Sequence, residues 1–197
     1  MKPCSCLEPK RAAFILGQMP DLYKEADLQS IEPWDHKHKK QRAILAEIKS
    51  SPFASYLFLG NSGVGKSYIS WAIWKYAALS GRRAVATTAA ELMKEYRDLE
   101  IEDEPKRPKV VPSDLAQNQF LYTVYIDEIE KIRVSPFSME KMFELIKNAV
   151  DYGHQLIVTS NMREAELEKT FGKIDKVWGE AMMRRLIEKT TVVGMWR

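Results

Sequence analysis

The octapeptide Gly60-Asn61-Ser62-Gly63-Val64-Gly65-Lys66-Ser67 constrains this chain more than any other stretch. It matches G-x-x-x-x-G-K-[ST], a loop whose backbone N–H groups converge on phosphate. Phosphate oxygens need several donors aimed at one point. A loop of small residues with positive φ wraps that tightly, so Gly60, Gly63 and Gly65 are read as meeting that demand. The motif works only between a strand and a helix, because the helix N-terminus adds its dipole to the anion site. Tyr56–Leu59 ahead of it is a short apolar strand, and Ser67–Ser80 behind it reads as a helix stopped by Gly81. The spacing predicts that Gly60, Asn61, Ser62, Gly63, Val64, Gly65, Lys66, Ser67 and Tyr68 surround a triphosphate. Lys66 is the point charge for the β- and γ-phosphates, and Ser67 places a hydroxyl on Mg²⁺; ATP and Mg²⁺ are the expected ligands.

Past the loop, strand and helix patterns alternate. Ala84–Thr87, Phe120–Ile126, Leu156–Thr159 and Thr190–Val193 read as strands. Ala89–Glu100, Ser138–Tyr152, Glu164–Phe171 and Glu180–Ile187 read as helices. Glu102–Pro112 carries Pro105, Pro108 and Pro112 and is expected to be a loop. Such alternation implies a parallel sheet covered on both faces. Residues 1–50 hold Pro3, Pro9, Pro20 and Pro33 and only short apolar runs. They are expected to form an N-terminal arm with one helix, Gln41–Ile48, ahead of a nucleotide-binding domain over residues 51–197.

Two acids end the third strand. Val124-Tyr125-Ile126-Asp127-Glu128 is either a strand running into solvent or, beside a phosphate loop, the hydrolytic edge of the site. Ligands of parallel sheets bind outside the carboxyl ends of the strands. On that reading Asp127 holds Mg²⁺ through water and Glu128 polarises the attacking water. Asn161 ends the next strand, Leu156-Ile157-Val158-Thr159-Ser160, and either contacts that water and the γ-phosphate or simply turns the chain.

Apolar residues at 45% and charged residues at 29% suit a packed core and exclude global disorder. No apolar run approaches the roughly 20 residues that span a bilayer, and the N-terminus lacks a secretory pattern, so no membrane contact and a cytoplasmic location are expected. A net charge of +3 is too small to argue for nucleic acid, and the basic clusters at His36–Arg42 and Lys106–Lys109 read as solvated faces. Cys4-x-Cys6 and His36-x-His38 hold four possible zinc donors. One intervening residue is tighter than the usual two to four, and free thiols are the favoured reading.

Taken in order, LGQMPDLY, GNSGVGKS, AVATTAAELMKEYRDL, VYIDEIEK, LIVTSNM and GEAMMRRL with a terminal Trp-Arg resemble the AAA+ ATPases of the DnaC/IstB group, the helicase loaders and transposition helpers. The resemblance covers residues 15–197. It implies a three-layer α/β sandwich on a parallel five-stranded sheet without a C-terminal helical lid. It also implies that Asn161 is the sensor-1 residue, that Arg185 is the arginine finger reaching a neighbouring subunit's γ-phosphate, and that Arg197 lies near the nucleotide. The helix Ala89–Glu100 corresponds to a region contacting single-stranded DNA in that group. The expected activity is ATP hydrolysis, slow in an isolated subunit. The expected role is an ATP-bridged homo-oligomer on single-stranded or duplex DNA that loads or remodels a replicative helicase, with a transposase-assisting role as the alternative. This chain departs from the group in carrying Asp151-Tyr152 where many members have arginines, and in its short arm.

Overall fold

Strand and helix alternate in the computed structural model, which describes residues 7–32, 39–101, 106–117, 119–132, 135–173 and 176–196. The order is α1 (Leu7–Gly17), a 3-10 turn (Asp21–Tyr23), α2 (Lys39–Ser50), β1 (Tyr56–Gly60), α3 (Lys66–Leu79), β2 (Arg83–Thr88), α4 (Ala89–Ile101), α5 (Pro112–Gln117) and β3 (Tyr122–Asp127). A second 3-10 turn (Ile129–Lys131) leads to α6 (Pro136–Asp151), β4 (Gln155–Ser160), α7 (Glu164–Gly172), α8 (Lys176–Lys189) and β5 (Thr191–Met195). The five strands form one sheet in the order β2-β3-β4-β1-β5, and every neighbouring pair is parallel. Parallel pairing needs crossovers, and the helices that supply them cover both faces of the sheet.

The period of two along each strand splits the core into halves. Tyr56 and Phe58 of β1, Tyr125 of β3 and Ile157 of β4 face α3, with Ile69, Ile73 and Trp74 against them. Leu57 and Leu59, Val124 and Ile126, and Leu156 and Val158 face the other way, toward Leu92 and Met93 of α4, Met142 and Ile146 of α6 and Leu186 of α8. This is the three-layer α/β arrangement, on a parallel five-stranded sheet, that the resemblance implied. Register pairs Leu59 with Ser160, and Ile126 with Val158, so β1, β3 and β4 end at nearly one level. The loops that follow these three strands therefore meet.

Three differences from the sequence reading have local causes. Phe120 and Leu121 stay outside β3; Phe120 is 57% exposed and lies under the Arg83 guanidinium, 4.5 Å from carbon to ring centre. Pro112 opens α5 rather than closing a loop, because the first helical turn needs no N–H there and the fixed φ of proline suits it. Ahead of α2, α1 is also helical. Its Arg11 donates to the Ala78 carbonyl at 2.8 Å, while Ile15, Met19, Ala26, Leu28 and Ile31 are buried in the α3 half of the core. Among the described residues no helix is long and apolar enough to cross a membrane.

Candidate nucleotide site

Gly63 and Gly65 adopt φ of +76° and +97°, which only glycine accepts without strain, and they fold the loop over the start of α3. Gly60 serves differently from the expectation. A Cβ there would lie 2.1 Å from the Met195 carbonyl oxygen, so its small size lets β5 press against the end of β1. Gly65 occupies the N-cap position of α3 with no side-chain cap, which leaves the first-turn N–H groups available to an anion. Val64 is buried and anchors the loop in the core, whereas Asn61 and Ser62 are exposed.

Lys66 is the pivot of the site. It is only 6% exposed, and Nζ donates to the carbonyls of Gly60 at 2.8 Å and Asn61 at 2.9 Å and to Asn161 Oδ1 at 2.8 Å. Burial lowers its pKa, opposed by the negative charges of Glu130, Asp127 and Glu128. Asp127 Oδ1 lies 3.5 Å from Ser67 Oγ and accepts a short hydrogen bond from Thr159 Oγ1. A hydroxyl and a carboxylate so placed offer hard oxygen donors, which suits a magnesium ion that takes its other ligands from phosphate and water. Beneath them the Tyr125 phenol is buried, and burial first, then the Asp127 charge, hold its pKa far above the ordinary range.

Glu128 has φ of +52° and ψ of +58°, the left-handed conformation that a non-glycine residue adopts at an energetic cost. Thr159 holds it there, accepting the Glu128 N–H at 2.9 Å. The Glu128 carboxylate pairs with Lys131 at 2.8 Å and receives Asn161 Nδ2 at 3.4 Å. Tyr23, Ser62, Gly63, Gly65, Lys66, Ser67, Tyr68, Asp127, Glu128, Thr159 and Asn161 line one cavity of about 470 Å³.

The family model described as IstB-like ATP binding protein matches residues 10–196 of this sequence. The chain belongs to that family. A protein assigned ATP binding in insertion sequence IS5376 of Geobacillus stearothermophilus is 27% identical over 142 residues, 71% of this chain and 52% of that relative. The IstB-like chain thus spans about half the length of that curated relative. Among solved structures, the DnaC helicase loader superposes with a TM-score of 0.67 at 17% identity, covering 89% of this chain and 99% of the other. DnaI superposes at 0.65 with 15% identity over 90% and 92%. AMPPCP-bound DnaA from Aquifex aeolicus gives 0.62 at 13% identity over 89% and 51%. These likenesses establish the fold.

Arg185 does not join the cavity of this IstB-like subunit. On α8, its Nη1 pairs with Asp151 of α6 at 2.8 Å, and its guanidinium lies 5.7 Å from the Phe143 ring centre. Asp151 is the acid that holds this arginine; Lys147 and then Arg185 lower its pKa. Arg197, Cys4, Cys6, His36 and His38 lie outside the described residues. Three site residues were not singled out from the sequence. Thr159 is a buried hydroxyl that follows the apolar run Leu156-Ile157-Val158, its one signal in the sequence. Glu130 looked like one acid of a charged turn, and Tyr23, stacked on Trp71 at 6.2 Å, belongs to a segment remote in sequence.

Proposed function

We propose that this IstB-like chain binds ATP with magnesium in the cavity between Lys66, Asp127 and Asn161 and hydrolyses it to ADP and phosphate. The observation that carries the reading is the convergence of a buried lysine, a hydroxyl–carboxylate pair and a strained glutamate around one pocket at the carboxyl edge of β1, β3 and β4. The first turn of α3 and Lys66 bind and orient the phosphates, Lys66 exchanging its carbonyl partners for phosphate oxygens. Ser67 and Asp127 would hold a magnesium ion, which would supply charge neutralisation to the phosphates. Glu128 orients a water in line with the γ-phosphorus and takes a proton from it as the new P–O bond forms and the bond to the ADP oxygen breaks. Asn161 hydrogen-bonds the water or the γ-phosphate. The rings of Tyr23 and Tyr68 flank the opening and suit contact with the base or ribose.

Completion of the site by Arg185 of a neighbouring subunit makes hydrolysis dependent on assembly, so the isolated chain turns over slowly. The ATP-bridged oligomer acts on DNA and hands a protein partner to it. The sequence resemblance favours a replicative helicase as that partner. The insertion-sequence relative favours the second reading, a transposase on duplex DNA. Phosphate release by the full chain with DNA present, against Glu128→Gln, tests the enzyme reading. Release should fall at least about a hundredfold in the variant with ATP affinity retained. Equal, slow release from both proteins under assembled conditions ends it. Capture with ATP present of a helicase or of a transposase separates the two partner readings.

A further inference from the structure

We infer that Glu130 is a positioning residue, acting through Asn161 on the hydrolytic reaction proposed above, on which this inference rests. Its Oε1 accepts two hydrogen bonds from that one residue, the backbone N–H at 3.1 Å and side-chain Nδ2 at 2.7 Å. Two donors on one oxygen fix both the end of β4 and the side-chain amide.

The pattern of charge sets which way the amide points. Oδ1 of Asn161 faces the Lys66 ammonium at 2.8 Å, while Nδ2 faces the carboxylates of Glu130 and Glu128. A flipped amide would turn its NH₂ toward a cation and its oxygen toward two anions, so every contact would become repulsive. Asn161 therefore spans the distance between the phosphate-binding cation and the carboxylate that polarises water. Glu130 supports it from behind and does not line the cavity.

The backbone explains how residue 130 reaches that place. The turn Ile129–Lys131 is closed by the Lys131 N–H to the Glu128 carbonyl at 2.9 Å, and Ile129 is fully buried beneath it. One rigid turn thus delivers Glu128 and Glu130 to the end of the neighbouring strand.

A purely architectural role fits this carboxylate poorly. Its Oε2 is buried with no hydrogen-bond partner among the described residues, and a buried carboxylate oxygen left unpaired weakens a fold relative to a neutral residue. Glutamine would keep the acceptor for Asn161 without that cost. What the position must supply to Asn161 is the acceptor oxygen.

The test uses the full chain with Glu130→Ala and Glu130→Gln and four readouts: melting temperature, ATP affinity by calorimetry, phosphate release with DNA, and hydrogen exchange of the Asn161 backbone amide. For Glu130→Ala, which takes the acceptor away from two Asn161 donors, the melting temperature should fall by no more than about 10 °C, and ATP affinity should stay within about threefold. The turnover number should fall at least about tenfold, as misplacement of a reacting constellation requires, and Asn161 exchange should accelerate at least tenfold. Glu130→Gln keeps an acceptor oxygen and should restore most of the turnover and the protection. A drop in melting temperature and ATP affinity together would mean a structural role and overturn the inference, as would unchanged turnover in Glu130→Ala. If the wild type releases no more phosphate than Glu128→Gln, the hydrolytic reading falls. The clamp is then judged by exchange alone, and unchanged Asn161 protection in Glu130→Ala refutes it.

Discussion

Thr159→Val isolates the hydroxyl that ties β4 to the two acids ending β3. The substitution conserves volume in a fully buried site, so no cavity term enters. Two hydrogen bonds are lost: Thr159 Oγ1 no longer donates to Asp127, and the Glu128 N–H loses its acceptor at 2.9 Å. An unmade partner for a part-buried N–H is destabilising by about 1–3 kcal/mol, and a hydrogen bond to a charged group is worth about 1.5–3 kcal/mol. Asp127 is only half-buried and water replaces part of the second loss, so the sum is about 2–4 kcal/mol. For a chain of this length each kcal/mol moves the melting temperature by about 2–4 °C, which predicts a fall of about 5–15 °C. Because the lost acceptor is what holds Glu128 in its left-handed conformation, turnover should fall further than stability explains. Thr159→Ser, which keeps the hydroxyl, is the control and should retain turnover. Thermal melts and phosphate release measure the two effects. A Thr159→Val protein that melts within 1 °C of wild type and turns over normally would show that Glu128 is held by something else.

Lys66→Met removes a cation whose hydrogen bonds are offset by its burial, so the melt should shift by no more than about 1 kcal/mol of stability. ATP affinity by calorimetry should fall at least tenfold, and an unchanged affinity would remove Lys66 from the phosphate site. Asp151 has a depressed folded-state pKa, so its contribution is complete above its ordinary value of 3.8 and disappears as pH falls through the lower folded value. Melts of Asp151→Asn and wild type should therefore differ near neutrality and converge as the pH falls below 3.8. The gap should stay within about 1 kcal/mol because the pair with Arg185 is partly exposed; a gap that widens with acid contradicts the pairing.

The elements were legible where a single local rule governs them. The central strands β1, β3 and β4 read as apolar runs, and all five strands were placed within two residues of their observed limits. The phosphate loop carries its own geometry in its glycines, although Gly60 owes its identity to Met195 on β5 rather than to φ. What stayed hidden depends on the end of β4 meeting the turn after β3. Thr159 in Leu156-Ile157-Val158-Thr159 is simply a good strand former. Glu130 in Asp127-Glu128-Ile129-Glu130-Lys131 is one charge among several until the 3-10 turn brings it under Asn161. Likewise, nothing near Arg185 in sequence announces Asp151, 34 residues earlier on another helix.

Charge balance then determines what the site requires. Asp127, Glu128 and Glu130 all act on the Lys66 ammonium and support its protonation against burial. Three carboxylates against one lysine, with Lys131 screening Glu128 from the solvent side, leave the pocket unfavourable for a polyanion. Like charges about 4 Å apart repel by about 4 kcal/mol at an effective dielectric of 20, so uncompensated acids would oppose nucleotide strongly. The uncapped first turn of α3 offsets part of this, and the Ser67–Asp127 pair provides for a divalent cation to offset more. The subunit's own Arg185 cannot assist while Asp151 and the Phe143 ring hold it away from the cavity. Under the proposed function, the same contacts pre-orient that arginine on the surface of α8 for a neighbour.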